Sequence, residues 1–288
     1  VHAVSRRPHP ELSSVIWHSA DLLAPATAPA LIAELAPSHI LHSAWTTAHD
    51  SYWSDPNNLS WLDATTSLAD SFARGGGVRF VMVGTCAEYN WDSPDLECGS
   101  ISEDMAQGQP LTLYGKSKRQ ASDRLSEIFR SSGLEFANGR VFYPIGPGEH
   151  PNRFLPMVIR SLLAGRKPQL GPATQIRDVI DVRDVGRALG MLVGSRLVGV
   201  VNIASGISTR LSDVAIQIGN RMSRADLIRF GREVPPAGDP PRLVADVTKL
   251  TAQLGFKPQY AIADTLDAAI AFWKARDGDV QSTGSQYA

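Results

Sequence analysis

Short apolar runs alternate along this chain with longer stretches whose apolar residues recur at helical spacing. Residues 1–4, 15–17 and 38–43 read as strands, and residues 28–35 and 59–73 as helices. Gly75-Gly76-Gly77 ends the second helix, and Val-Arg-Phe-Val-Met-Val at 78–83 is the pattern of a buried strand. A long helix over 114–131 stops at Gly133, and a strand follows at 136–142. Strands alternating with helices predict a parallel sheet covered on both faces, an α/β fold. After about residue 144 Pro and Gly become frequent. The pattern there predicts helices at 155–163, 184–193, 211–221, 247–254 and 262–274, strands at 179–182 and 199–204, and a loop at 235–241. The polar end, 277–288, reads as a disordered tail.

Composition narrows the partners. The 288 residues hold 43% hydrophobic and 20% charged side chains, as a folded globular chain does. A net charge of -1 gives no electrostatic reason to expect nucleic acid or an anionic membrane. No apolar run reaches the length of a membrane span. The two cysteines, Cys86 and Cys98, form neither a disulfide framework nor a metal-ligand spacing, so no metal is expected and a reducing, cytoplasmic setting suits them.

The strongest chemical signal is Tyr114-Gly-Lys-Ser-Lys118 at a helix start. Residues four apart share a helical face, so the Lys118 ammonium can approach the Tyr114 phenol and favour its ionised form. Such a phenol exchanges protons with an alcohol or ketone near neutral pH. The plainer reading is a half-exposed Tyr beside a solvated Lys. Context weighs against it: the strand at 78–83 runs into Gly84-Thr85, and ligands of a parallel α/β sheet sit beyond the carboxyl ends of its strands. Thr85 places a hydroxyl there, unless it only caps the following turn.

With these residues in place, the chain resembles the extended short-chain dehydrogenase/reductases, in their nucleotide-sugar epimerase/dehydratase branch. The resemblance covers essentially the whole chain and rests on five ordered motifs. They are Gly84-Thr-Cys-Ala-Glu-Tyr89, Leu113-Tyr-Gly-Lys-Ser-Lys118, Gly139-Arg-Val-Phe-Tyr-Pro144, Arg177-Asp-Val-Ile-Asp-Val182 and Val201-Asn-Ile-Ala-Ser-Gly206. It implies a Rossmann-type doubly wound parallel sheet binding NAD(P) over 1–150. A smaller α/β part over 151–276 binds a nucleoside-diphosphate sugar, with 199–204 returning to the main sheet. Thr85, Tyr114 and Lys118 become the catalytic set, and Tyr114 and Lys118 also touch the cofactor. Asp21, Leu22, Ser43 and Ala44 become the cofactor's adenine contact and wall, and Tyr143 and Pro144 flank the nicotinamide. Cys86, Arg153 and Arg177 become substrate contacts, with the Arg177 guanidinium suited to a diphosphate. For each Arg the plainer reading is a surface salt bridge. A homodimer through the helices 59–73 and 114–131 is a further expectation, since both show apolar faces.

Departures from the family pattern carry information. No glycine-rich pyrophosphate loop follows an N-terminal strand, because Gly75–Gly77 precedes a strand instead of opening a helix. The first βα unit of the family, roughly 30 residues, is therefore expected to be missing, which opens the sheet between its second and fourth strands. At the end of the first strand stand Ser5-Arg6-Arg7 and no acid, which favours NADP over NAD through Arg6, with Arg7 beside it. The alternative is a solvated basic turn before Pro8. Cys86-Ala87 occupies the place where the family's dehydratases carry Asp-Glu, and Glu88 is one position too late. This argues for 4-epimerisation or reduction of a 4-keto-6-deoxy sugar over dehydration. Gly238-Asp239 matches a family nucleotide motif, but Pro235-Pro236 replaces the Arg upstream of it. The competing readings are a non-catalytic NAD(P)-binding regulator of the same fold and an inactive partial chain.

Overall fold

The structure, a computed structural model, describes residues 1–7, 12–46, 48–49, 51–93, 99–105, 108–232 and 238–284, with the side chains of 278–284 excepted. Cys98, Pro8, Pro235 and Pro236 lie outside the described residues.

The chain opens with β1 (His2–Ser5) and β2 (Ile16–Ser19), then α1 (Thr27–Leu35), β3 (His39–His42), α2 (Asn57–Arg74) and β4 (Arg79–Thr85). Next come α3 (Leu113–Ser132), β5 (Glu135–Val141), β6 (Tyr143–Ile145), α4 (Phe154–Leu163), β7 (Ile176–Asp181), α5 (Val182–Val193) and β8 (Gly199–Ile203). The last elements are β9 (Ser208–Arg210), α6 (Leu211–Arg221), β10 (Arg242–Leu243), α7 (Thr248–Ala252) and α8 (Ile262–Gly284). The main sheet is parallel throughout, in the order β3-β4-β5-β8.

Period-two alternation in β4 explains its two-sided burial. Phe80 and Met82 join Leu62, Leu68 and Phe72 of α2 and Ala121, Leu125 and Phe129 of α3 in one core. Val81 points the other way, with Leu189 and Leu192 of α5. The buried apolar residues of α2 and α3 thus face the sheet. The outer faces carry ionic contacts such as Arg124 to Asp63 at 3.4 Å.

The β1–β2 pair stands as its own two-stranded parallel sheet and the main sheet ends at β3, so the sheet is open where the expected gap falls. Two other features differ from expectation. The smaller sheet, β10-β7-β6 with β9 antiparallel to β7, is built partly from two- and three-residue strands with no period to read. It packs with α4, α6 and α8 around Leu155, Ile159, Ile218 and Trp273. Helix α8 also runs on to Gly284, through most of the segment expected to be a disordered tail. Asp277 anchors that extension, accepting from Arg160 Nε of α4 at 3.4 Å. Among the described residues, no helix is long and apolar enough to cross a membrane.

Candidate active site

The site grows from the end of β4. Gly84 has no room for a side chain, because a Cβ would fall 2.4 Å from Glu88 Oε1 and 2.2 Å from Asn138 Oδ1. Thr85 follows in extended conformation and opens a 3-10 turn, Cys86–Glu88, through a capping box. Its Oγ1 accepts from the Ala87 N–H at 3.2 Å, while Glu88 Oε1 accepts from the Thr85 N–H at 2.9 Å. Helix α3 packs directly on this turn: a Cβ on Gly115 would lie 2.2 Å from the Ala87 carbonyl oxygen. Thr112 caps the helix by accepting from the Gly115 N–H at 3.0 Å, and Gly133 ends it in the left-handed region. Tyr114 in the first turn is thereby held near Thr85, whose hydroxyl is close enough to act on the phenol.

The remaining residues of the pocket close around that pair. Tyr52 meets Tyr114 edge-on with ring centroids 5.1 Å apart, and Trp53 does so at 5.7 Å. The Trp53 carbonyl also accepts from the Tyr114 N–H at 3.1 Å. Arg153 is close enough to act on both Tyr52 and Tyr114, and its Nε donates to Glu149 Oε1 at 2.9 Å. Cys86 is buried, and burial pushes its thiol up to about 12, against the pull of nearby Arg177. Burial likewise raises Tyr143, which lies under the Arg177 guanidinium at 5.2 Å. The structure therefore gathers Thr85, Cys86, Tyr114, Tyr143, Arg153 and Arg177 into one place.

Arg177 is neither a surface salt bridge nor a free phosphate ligand here. It is only 1% exposed, donates to the Ile176 carbonyl at 2.9 Å and pairs with Asp239. Gln175 Nε2 also donates to Asp239, at 3.0 Å.

Lys118 departs from the expected arrangement. Its Nζ donates to the Val83 carbonyl at 2.9 Å and sits 4.1 Å from the Trp45 ring centroid. Burial drives its ammonium down to about 7, with Glu88 opposing that fall. The Tyr114 phenol, expected below its ordinary range, instead lies above it. Burial outweighs the lowering influence of Thr85, and the Lys118 ammonium is directed at a backbone carbonyl.

The cofactor residues divide. Leu22 and Ala44 pack against the same core as Tyr114, and Ser43 is exposed at the end of β3. Asp21 Oδ1 accepts from the Leu23 N–H at 3.0 Å and so closes its own turn. Arg6 and Arg7 are exposed beyond β1, where Ser5 Oγ donates to the Arg7 carbonyl at 3.0 Å. Pro144 lies within β6, paired with Ile180 of β7.

Sequence reasoning missed several neighbours. His42 is buried against Lys118, hydrogen-bonded to Thr65 Oγ1 at 2.9 Å, and lowered to about 3 by burial and then by Lys118. Glu149 is pushed up to about 7 by burial. Tyr52 and Trp53 sit in a loop whose residues show no period. The signal that could have pointed to them is three aromatic or basic side chains close together, His49, Tyr52 and Trp53, between a strand end and a helix.

Comparison with known proteins decides the family. The profile of the NAD dependent epimerase/dehydratase family matches residues 1–204. The chain belongs to that family. It is similar to a dTDP-glucose 4,6-dehydratase of Actinoplanes sp. (strain ATCC 31044 / CBS 674.73 / SE50/110), 27% identical over 77% of this chain and 68% of the relative. Among solved structures, UDP-glucose 4-epimerase of Thermotoga maritima with UDP-glucose superposes with a TM-score of 0.85 at 17% identity, covering 96% of this chain and 91% of that one. MoeE5 in complex with UDP-glucuronic acid and NAD gives a TM-score of 0.80 at 25% identity, with the same coverage of 96% and 91%. Members of the family thus share the Rossmann architecture seen here. Among the described residues no cluster of three His, Cys, Asp or Glu side chains is suited to a metal ion.

Proposed function

We propose that this family member is an NAD(P)-dependent enzyme acting at C4 of a nucleoside-diphosphate sugar, as a 4-keto-6-deoxysugar reductase or a 4-epimerase. The placement of Tyr114 beside Thr85 at the carboxyl end of β4, where α3 packs on the Cys86–Glu88 turn, carries this reading. A hydroxyl and a phenol converge there, with Arg153 and Arg177 beside them for the anionic part of a substrate.

The residues present fit the nicotinamide end of a dinucleotide. Tyr114, Leu22 and Ala44 border one core, and Lys118 lies beside His42 at the end of β3 and over the Trp45 ring. Among the described residues, no glycine-rich turn opens a helix after β1. Bound NAD or NADP supplies the hydride donor and acceptor. Tyr114 then gives a proton to the sugar oxygen at C4 or takes one from it, and Thr85 orients that oxygen. With its proton held as tightly as burial dictates, Tyr114 is in the proton-donor state, which suits reduction of a ketone. Acting as a base requires Lys118 to turn its ammonium from the Val83 carbonyl toward the phenol. Exposed Arg6 and Arg7, with no acid beside them, support NADP as cofactor, with NAD the alternative.

Dehydration fits less well. Cys86 and Ala87 hold the positions that follow Thr85, and the Glu88 carboxylate is turned into the sheet. One observation favours a non-catalytic, cofactor-binding role: Lys118 faces away from Tyr114. The test is turnover of a 4-keto-6-deoxy sugar nucleotide with NADPH. Consumption of NADPH supports the reductase, conversion of a 4-hydroxy sugar nucleotide without net NADPH loss supports the epimerase, and neither outcome with folded protein rejects both.

A further inference from the structure

Glu88 is fully buried, yet its carboxylate is among the most heavily bonded groups in the protein. Oε1 accepts from the Thr85 N–H at 2.9 Å. Oε2 accepts from Asn138 Nδ2 and from Arg140 Nε, each at 2.8 Å. Asn138 Nδ2 also donates to Ser122 of α3 at 2.9 Å. One carboxylate therefore ties β4, β5 and, through Asn138, α3 together directly beneath Thr85. Gly84 leaves the space that the carboxylate fills.

We propose that Glu88 is a positioning residue for the reacting pair: it pins the Thr85 backbone at the end of β4 and holds a negative charge behind Tyr114 and Lys118. This rests on the reading of Thr85, Tyr114 and Lys118 as the reacting set. The groups facing Glu88 are Arg140 and Asn138 on β5, Tyr114 and Lys118 on α3, and Cys86 and Tyr89 on its own turn. Arg140 answers the charge at 2.8 Å, and its guanidinium lies 4.4 Å from the Tyr89 ring. The remaining field of Glu88 opposes the loss of the Lys118 proton and of the Tyr114 proton alike.

Two variants test this. Glu88→Gln removes the charge and forces one amide to meet donors on both sides. The double variant Glu88→Leu/Arg140→Met removes both charges at once, a replacement that buried ion pairs often tolerate, and it decides the matter if Glu88→Gln does not fold. In the folded variants kcat falls by about 10- to 100-fold, as for a small misplacement of reacting groups. KM changes by less than about threefold, because the loss is felt in the reacting step. The optimum of the pH–rate profile moves to lower pH, since the pull holding protons on Tyr114 and Lys118 is gone. Amide exchange reads the pinning without turnover: the Thr85 N–H is protected in the wild type and exchanges freely in the double variant. A folded variant with the wild-type profile and kcat overturns the electrostatic role, and retained protection of Thr85 overturns the pinning. A wild-type protein inert toward sugar nucleotides sinks the catalytic reading alone, and amide exchange then decides the pinning.

Discussion

Strands β1 and β4 begin from similar apolar runs and end in different surroundings. β4 is hydrogen-bonded on both sides, to β3 and β5, and only Val83 and Thr85 along its length escape full burial. β1 pairs with β2 alone, and no residue of either strand is buried. Of the proposed reacting groups, Thr85 ends the dense strand, and Tyr114 and Lys118 stand on α3, which packs against it. Arg6, Arg7 and Asp21, the residues expected at the far end of the cofactor, hang from the sparse pair. Apolar sequence specifies a strand, but rigidity comes from what covers it. Regions with few buried contacts open at lower free energy than the core. The proposed chemistry is therefore held by the more densely packed part of the molecule, and the proposed cofactor choice by the part with fewer packing constraints.

The sharpest way to break this contrast is to remove the proton from the dense side without disturbing its packing. Tyr114→Phe keeps the ring contacts with Tyr52 and Trp53 and deletes the hydroxyl. Steady-state turnover of the sugar nucleotide should fall by about 10²- to 10⁴-fold, the range of general acid–base catalysis, with melting temperature nearly unchanged. Turnover within tenfold of wild type would remove Tyr114 from the reaction. On stability the matching test is Phe80→Ala. Phe80 is fully buried, with its ring centroid 5.3 Å from that of Phe129 and 5.8 Å from that of Phe72. Denaturant unfolding should report a loss of about 3–5 kcal/mol, as for large-to-small changes in packed cores.

Lys118 links packing to chemistry and adds a pH dependence to the dense side. Its ordinary value of 10.5 falls to about 7 in the folded protein. Between those values the unfolded chain binds the extra proton, so stability rises with pH across that window. The contribution is fully present above 10.5 and is lost as pH falls through about 7. Lys118→Met removes this dependence. Relative to the variant, the wild type should gain about 2–3 kcal/mol between pH 6 and pH 9, because each tenfold change in proton affinity is worth roughly 1.4 kcal/mol. Parallel stability–pH curves for the two proteins would contradict the buried, weakened ammonium.

Much of this is legible in the sequence. The alternation of strands and helices predicts the parallel sheet, with elements such as α6 at Leu211–Arg221 and the strand at Gly199–Ile203 placed to within a residue. Thr85 and Tyr114 stand out because a strand end and a helix start carry their own marks, the apolar run and the cap. The orientation of Lys118 is not legible: spacing puts it on the face of Tyr114, but the Val83 carbonyl and the Trp45 ring compete for the ammonium from other elements. Glu88 looks misplaced by position alone, since a short turn does not declare which side chain folds back to the strand. Strands of two or three residues, such as β9 and β10, have no period, and pairing with β7 alone defines them. Helix α8 outruns its apolar pattern, and Arg160 of α4 meets Asp277 where that pattern ends.

The smallest effect tests the sparse side of the contrast directly. Ile16 opens β2, pairs with His2 across the strands and is 57% exposed. On β4 an apolar-to-polar change removes a side chain from a filled core, whereas at Ile16 it changes a surface already facing water. Ile16→Ser should therefore shift stability by less than about 0.5 kcal/mol, the range for surface positions. Denaturant midpoints of the wild type and variant provide the measurement. A loss comparable to that of Phe80→Ala would mean that this face of β2 is covered in the folded protein in solution, and the division between a dense and a sparse sheet would have to be withdrawn.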